Sequence, residues 1–336
     1  MTYQTGEARF EAIDSVLMAL SGKETAVLTT HLNSDGDGCG SEIALAAWLR
    51  ELGTEAFIVN PTPVPASFLF LVPDESWVVD STSAEAQELC DGADVAVVLD
   101  TGEVSRIGRV RSLIDGLPTI VIDHHPPGDR PIEGVSFRDA SASATGELVY
   151  DLIHRAGGPW SEIGDLAMYV AILTDTGSFR HANITDRTFG ICQRIAATGV
   201  DPATIAAEVY NNGSVGRLRA TGILLHQMRL EHENQIAVLT LTDAMLAEAG
   251  CAPDDLEGIV NLPLATRDVQ AVVFLKESDG QLRVSLRSKD AIDIRQVAVS
   301  YGGGGHRNAS GFTVEHPTTD TREQVIKRVA GALTLP

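Results

Sequence analysis

Four short groups of acidic and histidine residues carry the side chains that divalent metal ions require. The first group is His31-Leu-Asn-Ser-Asp35-Gly-Asp37-Gly38, which directly follows an apolar run at residues 25–30. An imidazole and two carboxylates on a glycine-containing turn can bind hard or borderline divalent ions. The alternative is an ordinary Asp/Gly loop that only caps the next helix.

The other three groups also end apolar segments of the sequence, and they are Asp100, Asp123-His124-His125 and Asp175. Taken alone, Asp100 or Asp175 is equally explained as a turn or cap residue. Three consecutive ionisable residues at the end of a strand, in contrast, suit neither a core nor a generic loop. Together the four groups offer six or seven ligands, which is what two adjacent divalent ions need. Such a pair of ions polarises a phosphate and activates water for in-line attack, so the pattern indicates a phosphoesterase.

A glycine-rich segment, residues 302–311 (GGGGHRNASG), is the second kind of site in the sequence. Consecutive glycines let backbone N–H groups approach an anion closely, and His306 and Arg307 add donors and charge. A flexible linker is the alternative, but a linker does not usually run straight into His-Arg-Asn and an apolar tail. Arg287 and Lys289 either supplement this anion site or lie on a solvated strand edge.

The elements that must position the first groups follow a β/α alternation, which predicts an N-terminal domain with a parallel sheet. The predicted strands are residues 25–30, 55–60, 77–80, 94–100 and 119–123, and the predicted helices are residues 7–21, 40–52, 143–156 and 161–173. Ligands collect at the carboxyl ends of strands in such sheets. The residues that end these strands are therefore expected to converge on one site.

The pattern changes after residue 185. Residues 185–229 read as mostly helical, and strands are predicted at 237–242, 269–276 and 281–286, followed by a helix at 319–334. Ser278-Asp279-Gly280 predicts a hairpin turn between the last two strands. We therefore expect a catalytic domain over residues 1–195, a helical linker over 196–229 and a smaller α/β domain over 230–336.

Composition excludes several classes of protein. The 336-residue chain has a formal net charge of −21, which argues against binding to duplex DNA. It has no apolar run long enough for a membrane span, and its acidic N-terminus lacks the features of a signal peptide, so a cytoplasmic location is expected. The four cysteines are scattered without a CxxC pair, so neither structural zinc nor a disulfide framework is predicted.

The ordered set of motifs resembles the DHH phosphoesterase superfamily, and the 302–311 segment resembles the glycine-histidine signature of its DHHA1 companion domain. The resemblance covers essentially the whole chain. It implies two metal ions, usually manganese, in the N-terminal domain. One ion would be held by His31 and Asp35, the other by Asp37, His124 and Asp175, and both by Asp100. His125 would lie close to the scissile phosphate, with Asp123 behind the ligands.

Within the superfamily, the length and domain pair resemble enzymes that cleave very short oligoribonucleotides and remove the 3′-phosphate of 3′-phosphoadenosine 5′-phosphate (pAp). The resemblance also implies a homodimer and a set of substrate-binding residues, namely Arg180, Arg287, Gly304, Gly305, His306 and Arg307. Phe179 and Arg187 fit the substrate side of that subgroup. The sequence departs from the family at Asn33-Ser34, where a proline is common, and at His181, where an aromatic residue is common.

Several alternatives remain at this point. Some relatives act on cyclic di-AMP or on its linear product pApA, and a nucleotide-binding module without catalysis is a further alternative. A pyrophosphatase of the superfamily would lack the glycine-histidine signature. A RecJ-like exonuclease is usually longer and carries an additional nucleic-acid-binding domain.

Overall fold

The computed structural model describes residues 6–128, 130–211, 213–252, 256, 258–278, 280–289, 292–305, 307–318 and 320–333. Within these residues the chain divides into two compact units, one before residue 213 and one from residue 213 onward. The segment predicted as a linker, residues 196–229, contains one helix of each unit.

The regular elements of the first unit are, in chain order, α1 (Phe10–Leu20), β1 (Thr25–Thr29), α2 (Gly36–Glu51), β2 (Glu55–Ile58), α3 (Ala84–Gly92), β3 (Val95–Leu99), α4 (Val110–Leu113), β4 (Thr119–Asp123), β5 (Val135–Arg138), α5 (Thr145–Ala156), α6 (Glu162–Asp175), α7 (Asp186–Ala196) and α8 (Pro202–Tyr210). Short 3-10 turns lie between β2 and α3, at Ala66–Leu71 and Glu75–Trp77.

The five strands form one parallel sheet in the order β2-β1-β3-β4-β5. Apolar side chains of α1, α2, α5 and α6 belong to the same buried cluster as one set of strand residues, and α3 and α4 belong to a second cluster with the alternate set. All five residues of β3 are buried, as expected for a parallel strand covered on both faces. The strand order reverses between β1 and β3, and such a switch point is where open α/β sheets bind ligands.

Two local predictions differ from the structure. The strand expected at residues 77–80 is wrong: Asp74 Oδ1 accepts from the Ser76 N–H (2.9 Å) and starts a 3-10 turn, which leaves only an isolated bridge between Val78 and Ile58. The four-residue strand β5 was not predicted, because a run of this length carries little alternation.

Helices α2, α5 and α6 pack side by side at unusually short distance. A Cβ atom at Gly40 of α2 would lie 2.4 Å from the carbonyl oxygen of Ala167 in α6. A Cβ at Gly146 of α5 would lie 2.5 Å from the Cβ of Ala171, also in α6. Only glycine at these two positions lets the three backbones approach so closely.

The elements of the second unit are α9 (Val215–His226), β6 (Arg229–Glu231), β7 (Ile236–Thr242), α10 (Asp243–Ala249), β8 (Ala271–Ser278), β9 (Gln281–Ser288), α11 (Arg295–Val299), β10 (Gly304–Gly305), β11 (Ala309–Val314) and α12 (Thr321–Leu333). A 3-10 segment, Ile259–Ala265, precedes β8.

These strands form a six-stranded sheet in the order β10-β11-β9-β8-β7-β6, in which only β7 and β8 are parallel. β8 and β9 form the predicted antiparallel hairpin, although Asp279 lies outside the described residues. α11 and α12 share a buried cluster with one face of the sheet, whereas α9 and α10 share another with the opposite face. The prediction of a parallel-sheet α/β domain followed by a smaller α/β domain is confirmed. Within the part of the chain that the structure describes, no helix has both the length and the apolar character that a bilayer span requires.

Candidate metal centre

The residues of the four motifs lie at the carboxyl ends of neighbouring strands and at the ends of two helices. His31 follows β1, Asp100 follows β3, and Asp123 is the last residue of β4. Asp35 caps α2, because its Oδ1 accepts from the N–H groups of residues 37 (3.1 Å) and 38 (3.2 Å). Asp35 therefore fulfils the capping role that the sequence offered as the alternative, and it also faces His31.

His31, Asp35 and Asp100 form the first group of potential ligands. The Nε2 atom of His31 lies 3.3 Å from Asp100 Oδ2 and 3.8 Å from Asp35 Oδ1. Its Nδ1 atom lies 2.9 Å from the Leu32 carbonyl oxygen. A hydrogen bond donated from Nδ1 leaves the lone pair of Nε2 directed at the carboxylates, which is the tautomer of a metal-binding histidine.

Asp37, His124 and Asp175 form the second group. His124 Nε2 lies 3.6 Å from Asp37 Oδ2, 3.7 Å from Asp175 Oδ2 and 3.6 Å from Asp100 Oδ1. Its Nδ1 lies 3.3 Å from the Ala142 carbonyl oxygen, so this ring is oriented in the same way as His31. Asp100 thus contacts both histidines, one with each carboxylate oxygen.

The donor set fits divalent cations. Within each group the potential ligand atoms lie within 4.8 Å of one another. The Nε2 atoms of His31 and His124 are buried and make no hydrogen bond, although buried polar atoms are nearly always satisfied. Asp37 and Asp100 are also buried, and a cation would offset the repulsion between these carboxylates.

The pKa values of these residues reflect the repulsion between the carboxylates. Burial and the negative charge of Asp37 raise the pKa of Asp175 to about 7. The same two causes raise the pKa of Asp100 well above its ordinary value. Burial disfavours protonated His31, but the nearby carboxylates of Asp100 and Asp35 outweigh it and raise the pKa of His31 to about 10. The carboxylates therefore need a positive partner, either a proton or a metal ion.

Two backbone groups and one hydroxyl at the start of α5 hold the central carboxylates. The N–H groups of Thr145 and Gly146 donate to Asp37 Oδ2 (2.6 Å) and Oδ1 (2.9 Å). The Thr145 hydroxyl donates to Asp100 Oδ1 (2.9 Å), and Asp100 itself adopts a left-handed backbone (φ 59°) that turns the chain at the end of β3. Sequence reasoning missed Thr145, whose signal is the small polar run Ser-Ala-Ser-Ala-Thr-Gly before an apolar helix.

His125 and Asp123 lie beside the two ligand groups. His125 Nδ1 lies 2.9 Å from Asp123 Oδ1 and 3.6 Å from Asp100 Oδ1. The His125 side chain is 30% exposed, against 11% for His124, so His125 is the more accessible of the two.

The turn after α6 differs from the expected substrate surface. Phe179 packs on Tyr169 and stacks on Phe189, so its ring serves packing rather than open base stacking. Arg187, whose side chain is 24% exposed, contacts the buried carboxylate of Glu147, and its place on the substrate side stays a prediction. Arg180 is exposed, and its Nε donates to the Gly177 carbonyl oxygen (2.7 Å).

In the second unit, the structure describes four of the predicted substrate-binding residues, and three of them line one polar groove. Arg287, Gly304 and Gly305 line a groove of about 410 Å³ that also contains Arg283. Gly304 and Gly305 form the short strand β10 instead of an open loop, because they pair with Gly311 and Ser310 of β11. Arg307 is exposed next to this strand, and His306 lies outside the described residues.

Comparison with known proteins places this geometry in a family. The family model described as DHH family, N-terminal domain, matches residues 25–174, and the DHHA1 domain model matches residues 233–334. A Thermus thermophilus protein named bifunctional oligoribonuclease and PAP phosphatase NrnA is 31% identical over 329 residues, which span 97% of this chain and 95% of that protein. The chain belongs to the DHH phosphoesterase family.

Solved structures agree with this assignment. An exopolyphosphatase-related DHH-like neighbour from Bacteroides fragilis is 27% identical, superimposes with a TM-score of 0.88, and each chain covers 96% of the other. RecJ of Thermus thermophilus in complex with Mn²⁺ shares the fold at 18% identity with a TM-score of 0.56, and this chain covers 56% of its length. This chain therefore corresponds to about half of that RecJ chain.

Proposed function

We propose that this DHH phosphoesterase binds two divalent ions, manganese in particular, and hydrolyses short oligoribonucleotides and pAp. The observation that carries the proposal is the pair of adjacent ligand groups, His31-Asp35-Asp100 and Asp37-His124-Asp175, which share contacts through Asp100. The substrate class follows from the printed name of the Thermus thermophilus relative, which is similar over nearly the whole length of both chains. The Mn²⁺ in the RecJ complex supports the choice of metal.

When bound, the ions would supply charge neutralisation at the phosphate and an activated water molecule. The residues of the chain itself supply the remaining requirement, which is a positioned proton donor. Asp123 accepts a hydrogen bond from His125 and so fixes the orientation of an accessible imidazole beside Asp100. From that position, His125 is suited to hold or donate a proton at a phosphate oxygen or at the leaving oxygen.

The second unit contributes the groups that bind the remainder of the substrate. Arg287 is half-buried in the groove, and burial lowers the pKa of its guanidinium. Among the residues that the structure describes, no acidic side chain pairs with it, so an anionic ligand would compensate its charge. Arg307 is proposed to add a further contact to a substrate phosphate.

The test is a comparison of kcat/KM for Mn²⁺-loaded protein on pAp, pApA, a five-residue RNA, cyclic di-AMP and pyrophosphate. Asp100→Asn and His124→Ala should abolish turnover, because each removes a contact common to both groups, whereas Arg307→Ala should mainly raise KM. Asp91→Asn is the control and should leave turnover unchanged, because it alters an exposed carboxylate that accepts a hydrogen bond from Gln87. Normal activity in Asp100→Asn would overturn the metal assignment, and dominant turnover of pyrophosphate or cyclic di-AMP would overturn the substrate assignment.

A further inference from the structure

The groove of the second unit extends beyond the residues that the glycine-rich motif indicates. Arg283, Ser285 and Arg287 alternate along β9 and all line the groove, whereas the residues between them are buried in the core. Side chains two and four residues apart point to the same face of a strand. The face that carries Arg287 therefore carries a second arginine, about 13 Å further along the strand.

A lysine faces this second arginine from the neighbouring strand. Lys276 of β8 and Arg283 of β9 are direct partners in the antiparallel pairing, and Thr313 of β11 is the partner of Arg283 on its other side. Side chains of directly paired residues lie on one face of a sheet, and like charges in such positions repel each other. The pair concentrates positive charge at one end of the groove.

None of the acidic residues that the structure describes forms an ion pair with either cation. Among the residues that the structure describes, neither Lys276 nor Arg283 forms an ion pair, and the adjacent carboxylate of Glu277 is engaged by Arg322. A cross-strand pair of cations that persists without a counter-charge indicates an anionic ligand.

We propose that Arg283 and Lys276 form a distal phosphate subsite, which binds the backbone of an oligoribonucleotide beyond the nucleotide held at Arg287. The proposal rests on the function proposed above, and it adds a determinant of substrate length. A mononucleotide such as pAp occupies the Arg287 end alone, whereas an oligomer reaches both ends of the groove. The subsite recognises phosphates by charge and is therefore indifferent to base sequence.

The test compares Arg283→Ala, Lys276→Ala and the double variant with the parent chain on two substrates. For a five-residue RNA, we expect each single variant to raise KM several-fold and to reduce the slope of log KM against log salt by about 0.7, the value for one phosphate contact in a single strand. For pAp, kcat and KM should stay within a factor of two. Arg283→Lys keeps the charge and should restore most of the RNA affinity.

Arg229→Ala provides the matched control, because Arg229 is an exposed arginine on β6, at the opposite edge of the same sheet. Equal losses for pAp and RNA, or no change for either, would overturn the distal subsite. Fluorescence anisotropy of a labelled five-residue RNA gives a second readout that requires no turnover. If the parent chain hydrolyses neither substrate, the proposed function fails, while Arg283-dependent RNA binding would still support the subsite and its absence would overturn it.

Discussion

Asp37 and Asp100, the two buried carboxylates at the centre of the site, are both hydrogen-bonded to one residue, Thr145. Its N–H donates to Asp37 and its hydroxyl to Asp100, so a single residue sets the spacing between the two ligand groups. We predict that Thr145→Val weakens Mn²⁺ binding about tenfold, the lower end of the effect of losing a group that orients a ligand. Isothermal titration calorimetry measures the affinity, and the Mn²⁺ EPR spectrum reports any change in coupling between ions.

Two further variants distinguish the effect of Thr145 on the orientation of the metal ligands from a general loss of stability. Thr145→Ser retains the hydroxyl and should bind Mn²⁺ within a few-fold of the parent. Thr54→Val removes another buried threonine hydroxyl, which donates to the Lys23 carbonyl oxygen (2.8 Å), and should lower the melting temperature without affecting Mn²⁺. Unchanged Mn²⁺ affinity in Thr145→Val would refute the role of this residue.

Glu42 is a buried acid near the site that gives the molecule a pH-dependent stability. Burial raises its pKa from an ordinary 4.5 to about 8, although the Asn60 amide donates to its Oε2 (2.9 Å). Between pH 4.5 and 8 the unfolded chain releases this proton and the folded chain retains it, so stability falls as pH rises through that window. Glu42→Gln lacks this titration and should gain stability relative to the parent as pH rises.

Chemical denaturation at pH 5 and pH 8 measures this difference. Glu51→Gln is the matched control, since Glu51 is an exposed residue of the same helix, α2. A stability difference between Glu42→Gln and the parent that is the same at both pH values would show that Glu42 is ionised throughout.

At the scale of elements, a buried arginine at the start of α1 forms ion pairs with residues of α5. Arg9 is 5% exposed and contacts Asp139 (2.7 Å), Glu147 (3.3 Å) and Asp151 (2.5 Å). Arg9→Ala removes a buried cation from this cluster of carboxylates, and we expect a loss of about 3–5 kcal/mol in the free energy of unfolding. Urea denaturation tests this value. Arg155→Ala breaks an exposed pair with Asp14 and should leave stability nearly unchanged; equal effects of the two variants would contradict the prediction.

The sequence predicted the elements better than the contacts between them. The strands that end in His31, Asp100 and Asp123 were predictable because apolar runs mark buried parallel strands, and the ligand motifs follow those runs directly. The role of Thr145 was not predictable, since it meets Asp37 and Asp100 across 108 and 45 positions of the chain. The left-handed turn of Asp100 and the contact of Arg187 with Glu147 likewise depend on tertiary packing, which no local pattern encodes.

At the scale of the whole molecule, the chain separates two kinds of binding group. Among the described residues, the groups of potential metal ligands belong to the first unit, and the cationic groove belongs to the second. We predict that Mn²⁺ alone slows amide hydrogen exchange in segments 29–39, 99–102 and 173–176. A five-residue RNA should instead slow exchange in β9 and β11. Protection of β9 by the metal alone, without change in the three motif segments, would contradict this division.

The close packing of α2, α5 and α6 has a consequence for how this protein tolerates mutation. Neither Gly40 nor Gly146 has a side chain to offer to a metal ion, yet a single added methyl group would force apart the helices that carry Asp37, Thr145 and Asp175. In a saturation mutagenesis scan scored by growth or activity, both positions should appear as intolerant as the ligands themselves. The set of mutation-sensitive positions would therefore be larger than the set of residues with a chemical role, because it would include the two glycines.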